Sequence, residues 1–571
     1  MNDIRRSILW VVFGFSMVLI WDKWQIHNGH QATFFPTAAV QSPAAKPANA
    51  SVPQALPAAA SEGAPAASAP AAGAPAPVAQ RYEASTDVLE LVFNSEGGAL
   101  VGAKLRQHAQ ASVANKAQDF QPFTLLTQTP DAVYVAQTGL IGGGFPNHKT
   151  PMTLLPGPLT LADGQDSLQV RFESAEVGGV KLLKTYTLQR GRYDITVQHE
   201  VVNSGPQSIN PQLYVQLVRD GNKLGSETPF YSTFTGPAIY TDAQKYQKVQ
   251  FADIDKNKAS FEKTATNGYV AMVQHYFASA WVLGDGVTRE NFARKVDNNL
   301  YAVGAITPLP SLAPGQSHRQ QSLLFVGPQA EKVLETITPG LELVKDYGWL
   351  TILAKPLYWL LEKIHGFVGN WGWAIVLLVV LLKASFYWLN ASAYRSMAKM
   401  KAINPRIMEM RERLKNNPQQ MQQEMMKMYR EEKVNPLGGC FPILIQIPVF
   451  IALYWVLLAT VEMRNTPWLG WITDLSSPDP YFILPLVMAV TTVFQTALNP
   501  LPPDPLQAKL MWMMPVMFSV MFFFFPSGLV LYWITNNILT IAQQAFINNK
   551  MGVPLKINLP FDVFKGKAAG Q

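Results

Sequence analysis

Trp371 to Asn390 reads WGWAIVLLVVLLKASFYWLN. Twenty residues of helix rise about 30 Å, the thickness of a bilayer's hydrocarbon core. The stretch is apolar except for one full charge, Lys383. A lysine near a helix centre raises the insertion free energy by roughly 2.5–3.5 kcal/mol on translocon-derived scales, so it marks a place where function outweighs that cost. Tyr387 follows four residues on and Asn390 three after that. All three polar groups therefore share one helical face.

The rest of the chain arranges itself around this segment. At 571 residues with 48% hydrophobic and 15% charged side chains, the composition fits a protein with both membrane and aqueous parts. The single cysteine, Cys440, excludes an intramolecular disulfide and a cysteine-based metal cage. A basic start with Arg5 and Arg6 precedes an apolar run, Ile8 to Ile26, and no small-x-small cleavage site follows. Residues 1–27 are predicted to be an uncleaved transmembrane anchor with its arginines in the cytoplasm. Residues 28–80 are rich in Ala and Pro and are predicted to be a flexible tether.

From 81 to 338 the pattern changes to short alternating segments such as Leu168-Gln-Val-Arg-Phe-Glu173 and Tyr193-Asp-Ile-Thr-Val-Gln-His199, separated by Gly, Asn, Asp and Pro. Such spacing predicts a large antiparallel all-β sandwich. His108, His148, His199 and His275 lie far apart without metal-ligand spacing, and there is no Gly-rich phosphate loop. A scaffold or partner-binding domain is expected there rather than an enzyme site. Residues 341–365 then place Trp349, Leu350, Leu353, Leu357, Leu360, Leu361 and Ile364 on one face, predicting an amphipathic helix lying in the interface.

Five spans follow in prediction: Trp371–Asn390, Phe441–Val461, Tyr481–Leu498, Leu510–Phe525 and Gly528–Ile547. With the anchor they make an α-helical transmembrane bundle of six. Residues 391–437 are basic, with Arg395, Lys399, Lys401, Arg406, Arg411 and Arg413 among others, whereas 465–480 holds no Lys or Arg. Positive-inside places 391–437, both termini and the basic tail 549–571 in the cytoplasm, and the β domain outside. The segment 391–437 is predicted to be a helical hairpin broken at Asn416-Asn-Pro418. Its many methionines are most often hairpin core; a deformable client surface is the other reading.

Helical spacing gathers further polar residues at cytoplasmic depth: Gln446 and Tyr454 on the third span, Thr491, Gln495 and Asn499 on the fourth, Tyr532, Asn536 and Thr540 on the sixth. Interhelical hydrogen bonding, about 0.6 kcal/mol per contact, accounts for any one of these. A lysine more than one turn from the helix end is harder to explain by snorkelling. A water-containing groove open to the cytoplasm is the economical expectation. It suits a polar peptide segment in transit, with no cofactor, no metal and no nucleic-acid motif. A small-solute secondary transporter is the alternative, disfavoured because residues 371–547 carry no carboxylate within the predicted spans. A structural assembly factor with a dry core is a third.

Asn435-Pro-Leu-Gly-Gly-Cys-Phe-Pro-Ile-Leu-Ile-Gln-Ile-Pro-Val-Phe450 and Phe525-Pro-Ser-Gly-Leu-Val-Leu-Tyr-Trp533 closely resemble the YidC/Oxa family of membrane protein insertases, as do Tyr394-Arg-Ser-Met-Ala-Lys-Met400 and Val434-Asn-Pro436. The anchor, tether and outer domain resemble the Gram-negative arrangement. That resemblance implies a non-enzymatic insertase and chaperone for nascent inner-membrane proteins, acting alone or beside the Sec translocon. It also implies a periplasmic β-supersandwich and contacts with the ribosome or signal recognition particle. The family carries one cation in the second span, usually arginine; eleven residues before Tyr394 this sequence has Lys383. The resemblance further places Gln446 in the groove, Tyr387 beside the cation, and Tyr532 and Trp533 on the sixth-span face. Asn390, Tyr454, Thr491, Gln495 and Asn536 join the candidate client-binding groove by helical spacing alone.

Overall fold

The computed structural model describes residues 52–54, 79–110, 120–223, 233–414, 417–432, 441–499, 505–550, 552 and 557. Two compact units emerge, one built on 36–111 and 115–345, the other on 346–571 with 1–35. The predicted anchor lies outside the described residues, as does the predicted tail apart from Asn549 and Lys550, which end the last helix, and Gly552 and Ile557.

The first unit is two antiparallel sheets of nine strands each. One sheet runs from Arg81–Ser85 through Leu89–Asn94, Ala99–Ala109, Pro122–Gln128, Val133–Ile141, Gln212–Asp220, Leu300–Pro308 and Arg289–Asp297 to Thr264–Ala265. In the other the order is Lys245–Lys248, Gly236–Thr241, Tyr269–Gln274, Phe277–Val282, Ser317–Pro328, Asp194–Asn203, Val180–Gln189, Ser167–Ser174 and Met152–Leu154. Strict alternation decides which face is inside: along Val180–Gln189 every second residue is buried. The all-β expectation for this domain holds.

Between the sheets lie apolar and aromatic side chains, including Phe93 and Tyr186 with ring centroids 4.8 Å apart. Polar groups there are tied across the sandwich. Lys184 is wholly buried and its Nζ donates to the carbonyls of Gly97 at 2.6 Å and Thr138 at 2.8 Å. His199 Nε2 bonds Thr138 Oγ1 at 2.9 Å, while His148 Nδ1 bonds the Tyr214 hydroxyl on the outer side of the first sheet. Burial holds Lys184 down at about 7, and burial with the nearby Lys184 charge holds both histidines down at about 3. These histidines are interior fastenings of the scaffold.

One short piece of the tether departs from expectation. Val52 packs on Ile141, Tyr214 and Ile306, and Pro53 is buried, so the chain is docked at this point.

The second unit is helical: α1 (Thr351–Val368), α2 (Trp371–Ser385), α3 (Tyr387–Arg413), α4 (Pro418–Glu431), α5 (Phe441–Ala459), α6 (Ile483–Leu498), α7 (Pro505–Met521) and α8 (Ser527–Lys550). Among the described residues no helix is long and apolar enough to cross a membrane. The predicted span 371–390 is divided at Phe386, where the backbone turns to φ −91°, ψ 12° while its amide still bonds the Leu382 carbonyl and its carbonyl still accepts from the Asn390 amide. The break follows Ala384-Ser385 and falls on the first of three consecutive aromatics, Phe386-Tyr387-Trp388, residues that lose side-chain freedom against the preceding turn. Likewise 510–525 is not one helix, because α7 stops at Met521 and Phe522–Phe524 tighten into a 3-10 turn.

Two further corrections concern amphipathic segments. The helix predicted over 341–365 begins only at Thr351, since Leu341–Val344 is a separate 3-10 turn with Leu341 and Val344 buried. Its packed face is Ala354, Tyr358 and Leu361, with the Tyr358 hydroxyl donating to Glu462 Oε1 at 3.0 Å. Leu353 stays exposed, together with Ile352, Trp359 and Phe367. The hairpin is α3 against α4, and α3 continues unbroken from Tyr387. Asn417 caps α4 by accepting from the Gln420 amide. Met400, Met425, Met428 and Tyr429 close around Ile403 and Ile407, which favours the core reading for those methionines, while Met408 and Met426 are exposed.

Candidate functional site

Helices α2 and α8 run side by side in the same direction. Gly528, at the start of α8, sits against Ile375; a Cβ there would lie 3.4 Å from its Cδ1. Farther along both helices, Lys383 Nζ donates to Thr540 Oγ1 at 2.8 Å. Thr540 can accept because its own proton is engaged by the Asn536 carbonyl one turn back, at 2.7 Å, which leaves lone pairs facing α2. The stripe Tyr532, Asn536, Thr540 thus ends on the lysine.

Beside this contact lies a recess lined by Val379, Leu382 and Lys383 of α2, Phe386 at the break, Gln446 and Val449 of α5, and Tyr532 and Asn536 of α8. It encloses about 340 Å³ of atom-free space, including its open mouth. No carboxylate is among the lining residues. One ammonium, two carboxamides and one phenol face apolar walls, and an ammonium has three protons, of which Thr540 takes one. The arrangement can bind an anionic or hydrogen-bond-accepting segment. It contains no nucleophile and base in contact, so it offers binding rather than bond-breaking chemistry.

Four of the ten expected groove residues, Lys383, Gln446, Tyr532 and Asn536, line the recess. The other six are placed otherwise. Tyr387 is exposed, edge-on to Trp388. Asn390 is buried at 2% exposure and its Nδ2 has no hydrogen-bond partner. Tyr454 meets Phe525 edge-on at 6.0 Å, and Trp533 meets Phe450 at 4.7 Å. Thr491 Oγ1 accepts from Asn537 Nδ2 at 3.2 Å, and Thr492 accepts from the same group at 2.9 Å. Gln495, one turn on from Thr491 on α6, is half-buried and outside the recess lining. Asn536 and Asn537 are about 100° apart on α8, so one serves the recess and its neighbour fastens α6.

Thr540 was legible as the third member of its stripe, but its pairing with Lys383 was not. The apolar walls, Val379, Leu382, Phe386 and Val449, carried no signal that separated them from any other membrane-helix residues.

Residues 81–360 match the family described as YidC periplasmic domain, and residues 363–553 match the family described as 60Kd inner membrane protein. The chain is 54% identical over 553 residues to the membrane protein insertase YidC of Cupriavidus metallidurans, covering 96% of this chain and 98% of that one. It is also 54% identical over 552 residues to the membrane protein insertase YidC of Burkholderia cenocepacia, covering 96% and 99%. A crystal structure of an active YidC insertase aligns over 81% of this chain and 91% of its own, at TM-score 0.36 and 19% identity.

Proposed function

From the premise that this chain belongs to the YidC family of membrane protein insertases, which is a non-enzymatic family, we propose that it inserts and helps fold integral proteins of the bacterial inner membrane. The single observation that carries the mechanism is the recess: Lys383 held by Thr540 among Gln446, Asn536 and Tyr532, with no carboxylate beside it. A polar client segment enters this wet, positive recess from the cytoplasmic side. Its attached hydrophobic stretch meanwhile moves sideways into lipid. The polar segment is thereby spared part of the desolvation it would meet in hydrocarbon.

The topology that fits is six spans with both termini and the α3–α4 hairpin in the cytoplasm and the β unit in the periplasm. The exposed, basic hairpin suits contact with the ribosome or signal recognition particle. Cooperation with the Sec translocon is part of the same reading. Photoreactive residues at Gln446 and Asn536 should crosslink a nascent client, whereas one at Thr491 should not. Lys383→Ala should impair clients whose translocated tails are acidic, with Lys383→Arg close to wild type and Lys383→Glu harmful. Equal insertion of such clients by Lys383→Ala and wild type would sink the electrostatic role. Blocked labelling of a cysteine at Asn536, in a Cys440→Ser background, would show that the recess is dry and remove the basis of the mechanism.

A further inference from the structure

The tether is where sequence and structure part most sharply. Residues 28–80 carry three prolines preceded by a large apolar residue, at Phe35-Pro36, Val52-Pro53 and Leu56-Pro57. At the second of these the chain is seated on the first sheet. The seat can be read from strand register. Tyr134 and Thr138 reach the second sheet through Ser279 and His199, and they stand opposite Arg219 and Val215. Residues of alternate parity, such as Tyr214 with its partner Ile306, therefore point to the outer face. Ile141, Phe292 and Arg294 share that face by the same register.

Val52 lies on this floor and, like Phe292, packs against the cluster of Ile141, Tyr214 and Ile306. Its carbonyl accepts from Arg294 Nη1 at 3.3 Å, and the Arg294 guanidinium lies over the Phe292 ring, 5.2 Å from its centroid. Pro53 is buried and Gln54 is exposed. The chemistry suits an X-Pro step. Proline has no N–H, so it can be covered without orphaning a donor, and it holds the preceding residue extended. The Val52 carbonyl finds a donor in Arg294. Docking a segment that is already extended also loses less conformational entropy than docking a flexible one.

We propose that Val52–Gln54 is a latch, and that the outer face around Ile141, Tyr214, Ile306, Phe292 and Arg294 is a groove for an extended apolar-Pro peptide, filled in cis by the tether. The latch divides the tether. Only the 24 residues from 28 to 51 then separate the docked point from the predicted anchor, instead of the 53 from 28 to 80. At about 3.3–3.6 Å per residue the greatest reach falls from roughly 180 Å to roughly 80 Å. The cis arrangement makes even a weak contact effective, because a linked segment is present at about millimolar local concentration.

Spin labels at Gln54 and Asn210, both exposed, test this in the full-length Cys440→Ser protein in lipid nanodiscs. The latch gives one narrow distance distribution, and Val52→Asp with Pro53→Gly at least doubles its width. Arg294→Ala widens it as well. Hydrogen exchange across Gln212–Asp220 serves as a fold check and stays protected in the tether variant, since that variant changes no sheet residue. A broad distribution in the parent, or an unchanged narrow one in the tether variant, overturns the proposal.

Discussion

Thr540 does two things with one hydroxyl, giving its proton to the Asn536 carbonyl and its lone pair to Lys383. Valine at 540 keeps the shape and removes both. A bond to a charged group contributes about 1.5–3 kcal/mol, but an ammonium in a water-accessible recess recovers part of that from solvent. Thr540→Val is therefore expected to lower insertion of acidic-tailed clients by roughly fivefold, corresponding to about 1 kcal/mol, and to do less harm than Lys383→Ala. In vitro insertion into proteoliposomes measures both. The β unit supplies a second test at this scale. Its buried His148 and His199 are held at about 3 against an ordinary 6.5. Between those values the unfolded chain binds more protons than the folded one, so their contribution is whole above pH 6.5 and is lost as pH falls towards 3. Lys184, held at about 7 against 10.5, has the same sign in a higher window: stability rises from pH 7 towards 10.5. Hydrogen-exchange opening energies for Asp194–Asn203, corrected for intrinsic rates, should fall through the lower window. In a His148→Asn, His199→Gln variant that slope should flatten. A slope unchanged in the variant would assign the acid sensitivity elsewhere.

At the scale of elements, period and punctuation told most of what could be read. Alternation marked the strands because each sheet has a covered face, and Asn417-Pro418 marked the start of α4 because an amide cap and a first-turn proline suit helix N-termini. What could not be read were features set by partners distant in sequence: the end of α2 at Phe386, the packed face of α1 and the turn after Met521. The loop 465–480 is instructive. Asp474 and Asp479 served only as a charge count in the sequence, yet both are buried organisers. Asp474 accepts from the Asn465 and Ser476 amides and from the Ser476 and Ser477 hydroxyls. Asp479 accepts from Trp471 Nε1 at 3.0 Å and from the Tyr481 and Leu484 amides at 2.9 and 2.7 Å, fixing the start of α6. Each buried donor orphaned by Asp479→Ala costs about 1–3 kcal/mol. That variant should open the loop to limited proteolysis, and Asp479→Asn should restore part of the protection. Equal protection in the alanine variant would mean that the contacts from α8, Ser527 N to Ser477 O and Gly528 N to Leu475 O, hold the loop alone.

At the scale of the whole chain, the separation into an all-β unit and a helical unit was legible because composition and period change together near residue 340. The latch at Val52 was not, because an Ala/Pro-rich stretch carries no period and one Val-Pro step resembles its neighbours until a sheet face is present to receive it. Every residue lining the recess lies between Val379 and Asn536, and the β unit has its own core around Phe93, Tyr186 and Trp281. None of the residues lining the recess belongs to 81–345. Their removal should therefore leave insertion within about twofold of wild type, since substitutions and deletions at sites sharing no partner act nearly independently. The deletion must keep α1, because Trp455 of α5 closes on Gly348 and Tyr358 bonds Glu462 in the turn just after α5, so α1 and the turn before it brace the end of that helix. Insertion of a single-span client into vesicles, alongside accessibility mapping to confirm that the shortened chain is itself correctly inserted, decides the matter. Correct membrane integration with insertion abolished would show that the β unit takes part in the reaction. Retained insertion by the shortened chain, lost on further removal of 346–368, would locate the essential boundary at α1.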